Sequence, residues 1–269
     1  MMVSMSASAP KPPSSPARIA RTLAITSGKG GVGKTFVSAN LAAALSRQGL
    51  KVLVLDADLG LANLDVVLNL YPKITLHDVF TGKAQLDEAI LPAPGGFSVL
   101  LAGSGLVEYS RLTPDIRDQL HGIFEAVKPR FDVILIDTGA GISDVVLYAV
   151  SMAQEVIVVA TPEPTSLTDA YATIKVLSAQ QGRETLNLVV NQVARAGDGR
   201  AICAQLQQVV DRFVQGPNGA APRLQLMGDI PLDTAVREAV RKRSLLLELH
   251  PGSAAAQGVL HVAARMVGR

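Results

Sequence analysis

Along this 269-residue chain, short apolar runs alternate with longer stretches whose apolar residues recur every three or four positions. Thr22–Thr26, Lys51–Asp56, Phe97–Ala102, Phe131–Asp137, Glu155–Thr161, Leu186–Asn191 and Leu224–Ile230 read as strands of a buried parallel sheet. Between them, Ile116, Leu120, Ile123, Phe124 and Val127 form one helical stripe, and Leu167, Ala170, Tyr171, Ile174 and Leu177 another. Val37, Leu41, Ala44, Leu45 and Gln48 fall near helical spacing, and Gly49 is expected to stop that helix. This rhythm predicts an α/β fold: a mostly parallel sheet with helices on both faces and ligand sites at the C-terminal ends of its strands. No repeat and no linker interrupts it. One domain over residues 19–269 is expected, closed by a short C-terminal helix. Residues 1–18, rich in Ser, Ala and Pro, read as a disordered tail.

Composition narrows the classes. The chain is 48% hydrophobic but only 4% aromatic, with no Trp, as suits a Val/Leu/Ala-rich sheet protein. A net charge of +2 provides no global field for nucleic acid. Cys203 is alone, which excludes an internal disulfide framework and a cysteine-based metal cluster within one chain. Set among Ile202, Leu206, Val209, Val210 and Phe213, it reads as a buried structural thiol. No apolar run approaches the roughly 18 residues of a membrane span. The N-terminus lacks the features of a signal peptide, so a cytoplasmic location is expected.

Candidate chemistry begins at Gly28-Lys29-Gly30-Gly31-Val32-Gly33-Lys34-Thr35, which satisfies G-x-x-x-x-G-K-[ST], the phosphate-cradling P-loop. A strand precedes it and a helix follows, so the glycines sit at a helix N-terminus, where free N–H groups favour an anion. Lys34 is expected to reach the β- and γ-phosphates and the Thr35 hydroxyl to bind Mg²⁺. The expected nucleotide-binding stretch is Gly28, Lys29, Gly30, Gly31, Val32, Gly33, Lys34, Thr35 and Phe36. Three more features fall at predicted strand ends on the same edge. Asp56 and Asp58 follow one strand, where a carboxylate can position water or hold a metal-bound water. Asp137 closes an apolar strand as a Walker B residue does, with Gly139 and Gly141 beyond it. Asn191 closes a third; its amide suits an adenine edge, although Asn at a strand end equally suits a turn.

The second lysine, Lys29, makes the loop similar to the deviant Walker A of the MinD/ParA family, K-G-G-x-G-K-[ST]. Asp56–Asp65 resembles the family's switch I, and Asp137–Asp144 its switch II. Glu163-Pro164-Thr165-Ser166-Leu167-Thr168-Asp169-Ala170-Tyr171 resembles the flagellar-number regulators of its FleN/FlhG branch. The likeness spans residues 21–251. It implies a P-loop NTPase fold and a slow ATP hydrolase acting as a switch, with ATP and Mg²⁺ as cofactors. It implies a homodimer with ATP between the subunits, each Lys29 reaching the partner's phosphates as an arginine finger would. Lys29, Lys34 and Asp58 are then catalytic, Asp58 orienting water. Thr35 and Asp137 manage the metal, with Asp56 behind them, and Asn191 reads adenine. Asn63 and Glu163 become interface candidates. Implied partners are a transcription activator of the FleQ/FlrA kind, an FlhF-like GTPase or a basal-body component.

The chain also departs from the family. The "DQAxGLR" element associated with GTPase stimulation is missing from Ser14–Ala20, which argues against that activity. At the C-terminus, Val259, Val262, Ala263, Met266 and Val267 share a face beside Arg265 and Arg269, without Phe or Trp. That face is marginal for membrane binding, and a helix packed on the domain is expected, with reversible inner-membrane or polar contact as the weaker reading. Arg237, Arg241, Lys242 and Arg243 cluster, but read as a solvated face, so no direct nucleic-acid contact is expected. The alternative function is a division-site or cargo-positioning ATPase. A metal-cluster carrier of this fold needs paired cysteines, which Cys203 cannot supply.

Overall fold

The computed structural model describes residues 19–59, 63–103 and 112–268. The expected tail over residues 1–18, Gly60–Ala62 of the switch I resemblance and Arg269 lie outside the described residues. Eight strands form one sheet: β1 (Arg21–Ser27), β2 (Val52–Ala57), β3 (Ile90–Pro92), β4 (Ser98–Leu100), β5 (Val133–Ala140), β6 (Glu155–Ala160), β7 (Thr185–Val193) and β8 (Arg223–Pro231). Their order is β3-β4-β2-β5-β1-β6-β7-β8. Every pairing is parallel except β3 with β4.

Alternate residues of each strand feed two cores. Leu23, Ile25, Val54, Leu135, Ile157 and Val189 point to one face, and Ala24, Leu55, Ile136, Val158 and Leu188 to the other. The first face is covered by α1 (Lys34–Ser46), α2 (Leu64–Leu68), α9 (Thr234–Arg241), α10 (Leu246–Leu249) and α11 (Ala254–Val267). The second takes α3 (Leu76–Phe80), α4 (Leu86–Ala89), α5 (Pro114–Val127), α6 (Asp144–Ser151), α7 (Pro164–Gln181) and α8 (Gly199–Phe213). The stripe of α5 is buried at all five expected positions, and Thr113 caps that helix by accepting from Ile116 N–H. Cys203 is buried in the second core.

Four details differ from the sequence pattern. Strands β5 and β7 do not end at Asp137 and Asn191 but run on to Ala140 and Val193. The edge strand β3 was not among the expected strands, being only three residues long and ending in proline. Helix α1 stops at Ser46, before Gly49, which takes φ +86° in the turn beyond. In α11, Val259, Val262, Ala263 and Met266 are buried, but Val267 is exposed. At 100° per residue it lies about 80° from Val259, on the rim of the stripe. The buried stripe is taken up against β8 and α1. Gly258 lets α11 lie this close, since a Cβ there would stand 2.7 Å from the Asp229 carbonyl oxygen.

Candidate active site

The sheet alternation decides which polar residues meet. Ser27 continues the face of Leu23 and Ile25, Asp56 that of Val52 and Val54, Asp137 that of Val133 and Leu135, and Asn191 that of Val189. All four therefore face α1, in the C-terminal halves of β1, β2, β5 and β7. The P-loop joins β1 to α1 above them.

Gly33 takes φ +94° immediately before α1. A Cβ at Gly30 or Gly31 would meet no atom within 4 Å, so these glycines border open space rather than a packed neighbour. Gly28 is the opposite case: a Cβ there would stand 2.1 Å from the Asp169 carbonyl oxygen of α7. Val37 N–H donates to Gly33 O at 2.9 Å, closing the first helical turn. The N–H groups of Lys34, Thr35 and Phe36 precede it, outside the helical ladder, and form an anion-favouring end. The Phe36 side chain packs into the core, so its backbone is what it can offer a phosphate.

Lys34 is buried and donates from Nζ to Ser27 Oγ at 2.9 Å. Ser27 Oγ donates in turn to Lys29 O at 2.7 Å. Burial holds the Lys34 ammonium below its ordinary pKa, against the opposing pull of Asp137 and Asp58. Asp56 and Asp137 are register partners on adjacent strands. Asp137 Oδ1 accepts from Ser38 Oγ at 2.8 Å. Its pKa is raised to about 6, chiefly by burial, with bonds from Ser38 and Thr35 and the Lys34 charge pulling the other way. Asp56 is pushed well above the carboxylate range by burial and by Asp137. Its Oδ1 accepts from Asp58 N–H at 3.1 Å, whereas its buried Oδ2 has no hydrogen-bond partner. Asp58 is half-buried, its Oδ1 about a van der Waals contact (3.4 Å) from where a Gly139 Cβ would sit.

The structure thus gathers Lys34, Thr35, Asp56, Asp58 and Asp137 around the loop. Asn191 joins them from β7, donating from Nδ2 to Val32 O at 2.8 Å. Lys29 points elsewhere: its Nζ meets Glu163 Oε2 at 3.1 Å and Thr165 Oγ1 at 3.0 Å, at the exposed start of α7. Sequence reasoning missed Ser27, Ser38 and Thr165. Ser38 had a signal, lying one helical turn beyond Lys34 and hence on the same side of α1. Ser27 was visible only as the last residue before the loop.

Comparison with known proteins identifies the family. A family model described as "AAA domain" matches residues 20–189, and one described as "NUBPL iron-transfer P-loop NTPase" matches residues 113–267. The antiactivator FleN of Pseudomonas aeruginosa is 43% identical over 246 residues, covering 91% of this chain and 86% of that protein. The chain belongs to the MinD/ParA family of P-loop ATPases. Within the family it falls with the FleN/FlhG branch. The flagellum site-determining protein YlxH of Helicobacter pylori is 35% identical, with 92% of this chain and 82% of that protein covered. The solved structure of the septum site-determining protein MinD from Pyrococcus horikoshii, complexed with Mg-ADP, superposes with a TM-score of 0.76 at 31% identity. It covers 92% of this chain and 96% of that one. This MinD/ParA ATPase hydrolyses ATP and uses Mg²⁺.

The residues present fit that pair. The orphaned Asp56 Oδ2 and the buried Asp137 carboxylate would supply hard oxygen donors of the kind Mg²⁺ takes. Among the described residues no group of three or more His, Cys, Asp or Glu forms a metal cage. Two carboxylates would make a partial ligand set, as at sites where substrate phosphates complete the coordination. The open glycines and the helix end of α1 suit those phosphates.

Proposed function

We propose that this ATPase is a dimerising switch that regulates flagellar number or placement through partner proteins. The observation that carries the switch is the placement of Lys29. It lies on the P-loop, yet its side chain is 40% exposed, with the ammonium against Glu163 and Thr165. A lysine serving its own nucleotide would face the loop as Lys34 does. One at the surface can leave a weak, solvated ion pair for a phosphate on a second subunit, because an exposed pair contributes roughly 0–1 kcal/mol. ATP binding and dimerisation then reinforce one another.

In this reading Gly28–Phe36 hold the phosphates. Lys34 leaves Ser27 to neutralise their charge, and Thr35, Asp137 and Asp56 hold Mg²⁺, directly or through its waters. Bound Mg²⁺ stabilises the negative charge developing on the phosphoryl oxygens. Asp58, beside Gly139, orients the attacking water, and Asn191 reads the adenine edge with the donor and acceptor capacity its internal bonds leave free. Residues 19–269 act as one ATPase domain. The flagellar assignment rests on the extent of likeness to FleN and YlxH. The partner classes are a transcription activator, a GTPase or a basal-body component. The burial of α11's apolar stripe disfavours direct membrane docking by that helix; in this reading the protein is cytoplasmic and reaches the inner membrane or pole chiefly through such partners.

Deletion of the gene tests the biological role. An altered flagellar count or position is expected. Normal flagella with misplaced septa would instead support a division-site role, which the likeness to the Pyrococcus horikoshii MinD structure favours. Size-exclusion chromatography with Mg-ATP tests the switch. A dimer is expected with ATP and a monomer with ADP; one elution volume under both conditions refutes it.

A further inference from the structure

The Asn191 side chain is placed by the fold to do more than face a base. It is buried, and its two polar atoms are both committed inside the protein. Nδ2 donates to Val32 O at 2.8 Å, and Oδ1 accepts from Gln192 N–H at 3.0 Å. Because one partner can only accept and the other can only donate, the amide has one orientation; flipping it would set two acceptors and two donors against each other. The first bond ends on the P-loop, 159 residues earlier in the chain.

Two independent features show that this contact is built. Gly33 fits under the amide only because it lacks a side chain: a Cβ there would stand 2.4 Å from Asn191 Nδ2. Gln192, an exposed non-glycine residue, takes φ +61°, in the left-handed region that costs an L residue energy. The register of β7 against β8 shifts between Asn191 and Val193. That bulge turns the Gln192 N–H back onto Asn191 Oδ1, so the strained residue aims the amide. Ordinary strand geometry would send this N–H into the sheet ladder.

We propose that Asn191 is a positioning residue for the phosphate loop: it holds Val32 and Gly33 in the phosphate-binding conformation, whatever base the nucleotide carries. The idea deepens the ATPase reading and rests on it. It ties β7 to the loop, so the same side chain that borders the base sets the shape of the phosphate cradle. Once Asn191 is removed, Val32 O loses its buried donor and the loop samples other conformations before phosphate arrives.

The test compares two ligands, Mg-ATP and Mg-tripolyphosphate, which has phosphates and no base. Their affinities are measured by calorimetry on the full chain, wild type and Asn191→Ala. If Asn191 positions the loop, tripolyphosphate affinity falls about tenfold, the scale for loss of one buried hydrogen bond, and ATP affinity falls at least as far. Hydrogen exchange of the loop amides speeds up while that of the sheet stays unchanged, which a general loss of stability would not produce. If ATP weakens and tripolyphosphate does not, Asn191 only reads the base and the proposal is overturned. A wild-type chain that binds neither ligand sinks the ATPase reading and the proposal with it. Should Asn191→Ala not fold, Asn191→Ser, which keeps a hydroxyl donor on a shorter arm, is expected to weaken tripolyphosphate severalfold; unchanged affinity there overturns the proposal equally. Gln192→Gly keeps the backbone N–H and accepts the positive φ, so wild-type tripolyphosphate affinity is expected; a loss would show that the Gln192 side chain does the work instead.

Discussion

Two lysines lie on one loop, five positions apart, in opposite surroundings. Lys34 is buried over the sheet, bonded to Ser27 and drawn toward Asp137 and Asp58. Lys29 stands at the rim, its ammonium shared between Glu163 and Thr165 at the start of α7. Burial makes the first a fixed part of one subunit's site. Exposure leaves the second available, in the proposed dimer, to a site on the partner subunit. If that proposal holds, a single glycine-rich loop carries both nucleotide binding and the detection of a second subunit.

The largest effect is expected from Lys34→Ala, which removes the buried cation. Hydrolysis should fall by about a thousandfold or more, on the scale of losing a preorganised charge at a phosphoryl centre. Nucleotide binding, followed by calorimetry, should weaken with it. Lys29→Ala should separate the two lysines. Nucleotide affinity of the monomer stays within a few-fold, whereas turnover at high protein concentration drops about a hundredfold or more, by analogy with a trans cation. Equal losses of binding in the two variants would erase the contrast. Asp58→Ala should retain ATP binding and trap the dimer, so that size-exclusion chromatography with Mg-ATP shows a persistent dimer with little phosphate release. A variant that stays monomeric removes Asp58 from the water-orienting role.

A smaller effect concerns the carboxylates beneath Lys34. Folding raises Asp137 to about 6, mainly through burial. The folded protein therefore holds this proton more tightly than the unfolded chain does. The cost of the charged form is absent below about pH 4, grows as pH rises, and is complete above about pH 6. Asp56 shifts the same way. The nucleotide-free protein should thus gain stability as pH falls from about 7 toward 5, and Asp137→Asn should be more stable than wild type near pH 7, by up to about 3 kcal/mol. Thermal unfolding with and without Mg-nucleotide checks this; a wild type no less stable than Asp137→Asn contradicts it. The smallest change is expected from Glu163→Ala. It breaks only an exposed pair, so the melting temperature should stay within about a degree or two.

Much of this was legible in the sequence because it is local. The loop, the apolar run leading to Asp137 and the stripe from Ile116 to Val127 depend on neighbours in the chain. What stayed hidden depends on contacts made by folding. Ser38 reads as a small residue in an Ala-rich helix until Asp137, 99 positions on, supplies its bond. Ser27 and Asn191 look like strand ends; their bonds to Lys34 and Val32 appear only once the alternation of β1 and β7 points them at α1. Helix α1 carries a sequence stripe, yet Phe36 to Leu45 are buried all round, because α10 and α11, from the far end of the chain, cover its outer side. The antiparallel strand β3 is too short to show a period.

The contrast between the lysines is tested most directly by phosphate release per subunit as a function of protein concentration, at saturating Mg-ATP, for wild type and Lys29→Ala. Wild-type turnover is expected to climb with concentration and then level off as dimers form, while Lys29→Ala stays flat and low. Turnover per subunit that is independent of concentration in the wild type, or equal in the two proteins at every concentration, would contradict a lysine acting on the partner's phosphates.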